Sequence, residues 1–72
     1  MSELRIGIAG YGVIGKRRRG CVDANPFMTT VAVCDKKFAD DGTLDDGIAY
    51  SREYKKLFNH ELDAVLVCMS ND

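Results

Sequence analysis

The sequence predicts an α/β fold built on a parallel sheet. Three short apolar segments carry this prediction: Leu4–Ala9, Thr29–Cys34 and Asp63–Met69. None of them alternates strictly with polar residues, and such near-continuous apolar runs are typical of strands buried on both faces of a parallel sheet. Longer segments separate the three runs, so the expected order is β-α-β-α-β with right-handed connections.

The first connection is predicted to be a helix. It should begin at Gly12 or Val13 and end near Ala24, because the Asn25-Pro26 dipeptide terminates a helix. The side chains expected on the face that packs against the sheet are Val13, Ile14 and Cys21. The stems of Arg17 and Arg18, or Val22, are the alternatives for completing that face.

The second connection divides into three parts. Residues 36–47 are rich in aspartate and glycine and predict a polar loop. Ile48–Tyr50 is apolar and predicts a brief strand-like segment. Ser51 is expected to cap a short helix that ends near Asn59. Its inner side is expected to hold Tyr54, Leu57 and Phe58.

A glycine motif joins the first strand to the first helix. Gly10, Gly12 and Gly15 form G-x-G-x-x-G, and Asp35 closes the second strand twenty positions after Gly15. Gly10 allows a tight turn, Gly12 lets a pyrophosphate approach the backbone, and Gly15 lets the helix pack close to the sheet. The helix N-terminus offers N–H groups to the phosphates. The combination predicts a Rossmann-type dinucleotide-binding half-domain.

The expected cofactor is NAD. Asp35 can accept hydrogen bonds from a ribose diol, and its carboxylate repels a 2′-phosphate. NADP remains an alternative, because Lys36 and Lys37 can neutralise that phosphate. Tyr11 is expected either to shield the pyrophosphate or to be a simple surface ring. The residues expected to contact the cofactor at this end of the sheet are Gly10, Tyr11, Gly12, Val13, Ile14, Gly15, Asp35 and Lys36.

Composition argues against several other classes of function. The chain has 72 residues and a net charge of −1, which disfavours nucleic acid or a membrane surface as the main partner. No segment approaches the length of a membrane span or resembles a signal peptide. Three isolated cysteines fit reduced thiols in a cytoplasmic protein better than a disulfide framework. The aspartates of residues 40–46 miss the calcium-loop spacing, so no metal site is expected.

Three further features receive simple structural interpretations. Residues 10–16 fit a phosphate-binding P-loop until Arg17, which stands where that loop needs a magnesium-binding hydroxyl. The basic run of residues 16–19 is interpreted as a solvated helix face. His60 is interpreted as a residue at a helix end rather than a catalyst or metal ligand.

The chain resembles the N-terminal part of the glucose–fructose oxidoreductase / inositol dehydrogenase / MocA family. The resemblance rests on L-R-I-G-I-A-G-Y-G-V-I-G at residues 4–15, V-A-V-C-D at residues 31–35, and residues 47–72, which include Tyr50, Tyr54 and L-D-A-V-L-V-C-M-S-N-D. In that family the third strand ends in a threonine-proline-asparagine type turn beside the nicotinamide ribose. Ser70 and Asn71 stand at that turn here, without the proline, and are the corresponding cofactor contacts.

The resemblance implies hydride transfer between NAD(P) and a hydroxyl or ketone of a sugar, polyol or cyclitol. The family's catalytic lysine lies in a Glu-Lys-Pro motif, which these 72 residues do not contain. No catalytic residue is therefore assigned, and residues 1–72 are expected to be part of a truncated dinucleotide domain. A small-molecule substrate and a homo-oligomer are expected only for a full-length protein. The alternative function is a non-catalytic Rossmann module that senses nucleotides.

Overall fold

The computed structural model describes residues 4–68, which form one α/β unit. Its strands are β1 (Leu4–Ala9), β2 (Met28–Cys34), β3 (Gly42–Thr43), β4 (Ala49–Ser51) and β5 (Ala64–Val67). One α-helix, α1 (Val13–Ala24), joins β1 to β2, and a 3₁₀ helix, Tyr54–Asn59, joins β4 to β5. The predicted helix and the three predicted apolar strands are therefore confirmed, with strand ends that shift by one or two residues.

The sheet is mixed rather than wholly parallel. Its strand order is β3-β4-β2-β1-β5, and every neighbouring pair is parallel except β3 with β4. The expected parallel sheet is confirmed for β4, β2, β1 and β5, and an antiparallel strand, β3, is added to it because residues 42–51 form a hairpin. Leu44 donates its N–H to the Ile48 carbonyl at 2.8 Å, and Gly47 has a φ of +87°. A glycine in this left-handed region allows the tight turn that reverses the chain.

The connection from β2 to β5 also differs from its prediction. Ser51 lies in β4, and its hydroxyl donates to the Glu53 carbonyl at 3.1 Å instead of capping a helix. The helix that follows is a single 3₁₀ segment preceded by Glu53. Of its three expected inner residues only Leu57 is buried, whereas Tyr54 and Phe58 are more than half exposed. A 3₁₀ helix repeats every three residues, so Phe58, one residue after Leu57, lies off the row that faces the sheet.

Two apolar clusters lie on opposite faces of the sheet. On the α1 face, Ile6, Ile8 and Val33 pack with Val22 of the helix. On the other face, short side chains of β1 and β2 pack with Leu57 of the 3₁₀ helix. Successive side chains of β1 point to opposite faces of the sheet, as in any pleated strand, so β1 contributes to both clusters.

Helix α1 approaches the sheet through Gly15 and Val22, its two buried residues. These lie seven positions apart, or about two turns, and therefore form one stripe along the helix. Val13 and Ile14 lie off that stripe and are 72% and 57% exposed, and Cys21 is also exposed. The prediction that these three residues face the sheet is therefore wrong. Of the two alternatives, Val22 is correct, whereas Arg17 and Arg18 are exposed.

Substitution of Gly15 should destabilise the fold strongly. An added Cβ would overlap the Gly10 carbonyl oxygen and lie 2.9 Å from its carbon, and backbone atoms cannot rotate away as a side chain can. We expect Gly15→Ala to lower the free energy of unfolding by about 3 kcal/mol, at the upper end of the usual cost of overpacking. Urea unfolding followed by far-ultraviolet circular dichroism measures this.

Gly20→Ala is the matched control on the same helix. No heavy atom lies within 4 Å of a Cβ at Gly20 among the described residues, so only helix propensity changes. We expect a gain of about 1 kcal/mol. Equal stabilities for Gly15→Ala and the unsubstituted chain would contradict the close approach of α1.

Candidate functional site

The candidate site begins at the turn between β1 and α1. Gly10 has a φ of +96°, a left-handed conformation that residues with a Cβ rarely adopt. Its N–H donates to the Cys34 carbonyl at 2.8 Å and fixes the turn to the end of β2. The predicted role of Gly10 as the residue that turns the chain is confirmed.

The two other glycines of the motif, Gly12 and Gly15, have different surroundings. Gly15 contacts the Gly10 carbonyl, so its predicted role in close packing is also confirmed. Gly12 precedes the helix in an extended conformation, and a Cβ placed there would meet no described atom within 4 Å beyond its chain neighbours. The space in front of Gly12 is therefore open, as approach of a ligand to the backbone requires.

The N-terminus of α1 faces the same open space. The first hydrogen bond across the start of the helix runs from the Lys16 N–H to the Gly12 carbonyl at 2.9 Å. The preceding N–H groups, those of Val13, Ile14 and Gly15, have no acceptor inside the helix, and no side chain caps them. These donors and the positive end of the helix dipole favour an anion.

Asp35 lies beside the glycine turn. Its Oδ2 accepts the Tyr11 N–H at 2.7 Å, and its Oδ1 accepts the Lys37 N–H at 2.9 Å. The Asp35 N–H itself donates to the Ser51 carbonyl at 3.0 Å, which anchors the residue to β4. The parallel pairing of β1 with β2 thus brings together the turn and an acid 24 residues away from Tyr11. Lys36 follows directly and is exposed.

The Tyr11 side chain folds back along α1. Its ring stacks on Phe38, with centroids 6.3 Å apart, and Lys16 Nζ lies 5.9 Å from the ring centroid. Its hydroxyl accepts a hydrogen bond from Arg19 Nη1 at 2.9 Å. The ring therefore extends the apolar cluster on the α1 face. Tyr11 contacts Asp35 through its backbone N–H and not through its side chain. The expectation of a simple surface ring is therefore wrong, because the ring is half-buried against Phe38. The expectation that it shields a pyrophosphate stays a prediction.

Arg19 is the site residue that the sequence prediction missed. Its side chain is only 15% exposed, whereas Lys16, Arg17 and Arg18 are exposed as predicted. Nε contacts Asp23 Oδ2 at 3.1 Å, and Nη2 contacts Asp46 in the hairpin. Burial opposes its charge, but the hydrogen bonds to Tyr11 and Asp46 raise the pKa of Arg19 above its ordinary value. The sequence offered no signal for these contacts, because Tyr11 precedes α1 and Asp46 lies 27 residues after Arg19.

Two predicted contacts, Ser70 and Asn71, lie outside the described residues. The chain reaches them from the end of β5, where the Cys68 N–H donates to the Ala9 carbonyl at 2.7 Å. That bond brings the exit of β5 next to the glycine turn. The role predicted for these two residues stays a prediction.

Metal-binding groups, His60 and membrane-spanning helices are the other features that bear on the sequence predictions. No group of three or more metal-binding side chains occurs between residues 4 and 68. His60 ends the 3₁₀ helix, and its N–H donates to the Leu57 carbonyl at 3.1 Å, in agreement with a helix-end role. No helix in this part of the chain has both the length and the apolar character needed to cross a membrane.

No family model matches the chain, and neither a curated protein nor a solved structure matches it. Any function assigned to it therefore rests on its own residues and geometry.

The ion pair between Arg19 and Asp46 should give stability that acid removes. The hydrogen bond from Arg19 holds the pKa of Asp46 below its ordinary value. A carboxyl with a lowered folded-state pKa stabilises the fold above its unfolded pKa, and this contribution is lost as pH falls below about 4. We expect Asp46→Asn to lower the urea midpoint at pH 7, and the difference between the midpoints of the variant and the unsubstituted chain to shrink as the pH is lowered to about 3.

Asp45→Asn is the control for this comparison, because Asp45 is an exposed acid in the same turn. It should leave the midpoint close to that of the unsubstituted chain at both pH values. A constant difference between Asp46→Asn and the unsubstituted chain across this range would exclude a contribution from the Asp46 charge.

Proposed function

We propose that this chain binds a nicotinamide dinucleotide, with NAD(H) preferred, as part of a Rossmann-type domain. The hydrogen bond from the Tyr11 N–H to Asp35 Oδ2, at 2.7 Å, is the observation that carries the proposal. It places Asp35 directly beside the glycine turn, so that the two form one continuous surface for a ligand. The turn supplies donors for a pyrophosphate, and the acid supplies acceptors for a ribose.

The pyrophosphate is proposed to lie over Gly12. The backbone is open there, and the N–H groups of Val13 and Ile14 begin α1 without intrahelical acceptors. A dianionic group at this point would gain charge-assisted hydrogen bonds and a favourable interaction with the helix dipole. No acidic side chain lies in the first turn of α1 to compete with it.

The adenosine ribose is proposed to bind Asp35. Each carboxylate oxygen accepts one backbone N–H and retains a further acceptor position, so a diol can donate to both. The two backbone donors also fix the direction of the carboxylate before the ligand arrives. This negative charge favours a free 2′-hydroxyl over a 2′-phosphate, while the exposed Lys36 and Lys37 keep NADP as the alternative.

The strand order supports a Rossmann-type arrangement. The chain moves outwards from β1 to β2 and then to β4, and it returns past β1 to β5 on the other side. Helix α1 packs on one face of the sheet and the 3₁₀ helix on the other. In open α/β sheets a ligand crevice forms where the strand order reverses, outside the carboxyl ends of the strands. That point lies here between β1 and β5, next to Gly10.

Within a larger protein, the proposed function is hydride transfer between NAD(P) and a sugar, polyol or cyclitol. For these 72 residues the proposal is cofactor binding, because the Glu-Lys-Pro motif of the resembled family is not among them. A nucleotide-sensing module would bind its nucleotide through the same glycine turn and Asp35. Turnover of an alcohol by a protein that contains this chain would favour the enzyme over the sensor.

Gly12→Ser tests the binding site without disturbing the fold. A serine Cβ meets open space, and serine is a favoured residue before a helix, so stability should change by less than about 0.5 kcal/mol. The same Cβ would stand in the proposed path of the pyrophosphate. We expect the dissociation constant for NADH, measured by isothermal titration calorimetry, to rise about tenfold, or about 1.4 kcal/mol.

The outcome of this titration is decisive for the binding proposal. Absence of NADH binding by the folded unsubstituted chain would overturn it. Equal affinities for Gly12→Ser and the unsubstituted chain would exclude the pyrophosphate position over Gly12.

Asp35→Ala tests cofactor selection. Loss of hydrogen bonds to a charged group costs about 1.5–3 kcal/mol, so NADH affinity should fall about 10- to 100-fold. The variant also removes the acceptor of the Tyr11 N–H, which affects both cofactors equally. The informative quantity is therefore the ratio of NADH to NADPH affinity, which should shift towards NADPH. Asp45→Ala, at an exposed acid of the hairpin, is the control, and an unchanged ratio for Asp35→Ala would refute the ribose role.

A further inference from the structure

Arg19 on α1 contacts the glycine turn and the hairpin directly, and it is linked to β2 through Asp23. Its guanidinium donates to the Tyr11 hydroxyl at 2.9 Å in the glycine turn and pairs with Asp46 in the hairpin. Nε contacts Asp23 on α1, and Asp23 Oδ1 in turn accepts a hydrogen bond from Thr30 of β2 at 2.9 Å. The planar fork of arginine can make these bonds in fixed directions at the same time, which a lysine cannot.

The contact with Tyr11 matters because of what surrounds that residue. Tyr11 has glycine on both sides, and glycine loses more conformational freedom on folding than any other residue. A turn of this composition needs an external anchor to hold one conformation. The hydrogen bond between the Tyr11 hydroxyl and Arg19 is one such anchor. The hydrogen bond from the Tyr11 N–H to Asp35 Oδ2 is a second one, made by the backbone.

We propose that Arg19 is a positioning residue of the dinucleotide site. It holds the Tyr11 side chain on α1, and Tyr11 thereby presents its N–H to Asp35 and keeps the glycine turn in its binding conformation. Arg19 contacts no ligand in this role, which rests on the proposed function. Asp46 supports it from the hairpin, because its carboxylate fixes the second terminal nitrogen of the guanidinium.

Two measurements test the proposal on the 72-residue chain. Amide hydrogen exchange followed by NMR, without ligand, compares the Tyr11 N–H with the Val33 N–H of the buried core. Calorimetric titration with NADH then gives the affinity. The variants are Arg19→Met, Tyr11→Phe, the double variant, and Arg18→Met. Arg18→Met is the matched control, because it removes the same charge from an exposed position one residue away.

We expect exchange at Tyr11 to accelerate about three- to tenfold in Arg19→Met, the effect of one lost hydrogen bond, while Val33 exchange changes less. NADH affinity should fall by a similar factor. Tyr11→Phe removes only the hydroxyl and should reproduce both effects. The double variant should lose no more than Arg19→Met alone, because that substitution already removes the interaction with the Tyr11 hydroxyl. Arg18→Met should leave both quantities unchanged within about twofold.

A parallel acceleration at Tyr11 and Val33 would overturn the proposal, because it would give Arg19 a general role in stability. Unchanged Tyr11 exchange in both Arg19→Met and Tyr11→Phe would overturn it as well. If Arg19→Met fails to fold, Tyr11→Phe alone decides the outcome. Absence of NADH binding by the unsubstituted chain would overturn the proposed function instead, and the exchange measurement would still decide whether Arg19 positions the turn.

Discussion

The return of the chain from β1 to α1 is the constraint on which the rest of the structure depends. Only three residues separate the strand from the helix, and the helix must then lie against the sheet that it has just left. Gly10 makes the turn with a φ of +96°, and Gly15 brings α1 into contact with the Gly10 carbonyl. Both positions exclude a Cβ, one by backbone conformation and the other by space.

The register of the β1–β2 pairing places Asp35 beside the glycine turn. Ala9 pairs with Cys34, so the residues after them, Gly10 and Asp35, leave the sheet side by side. A bulge contributes to this match, because β2 has one extra residue, Val31, opposite the Ile6–Gly7 step. Successive residues of a strand point to opposite faces, so this one residue changes which side chains meet beyond it. The position of Asp35 beside the turn therefore depends on the whole length of the β1–β2 pairing.

Features with local causes were predictable. The extent of α1, the three apolar strands and the roles of Gly10 and Gly15 follow from apolar runs, glycine sterics and the Asn25-Pro26 stop. Asp35 was found because strand–turn–helix–strand units have a nearly fixed length. The pairing of β4 with β2 and the contact of Arg19 with Asp46 were not predictable, because they join residues that the chain does not bring together by itself. Asp46, for example, lies 27 residues after Arg19.

The sequence by itself determined where the chain extends, turns and coils, since steric limits and backbone propensities act over a few neighbouring residues. It also determined that a glycine turn and an acid end adjacent strands. Only the tertiary structure decided that β4 pairs with β2, that α1 buries Val22 rather than Val13, and that Arg19 binds Tyr11. These outcomes depend on which surfaces meet after the sheet forms, and packing between distant segments outweighs the small free energies of local preference.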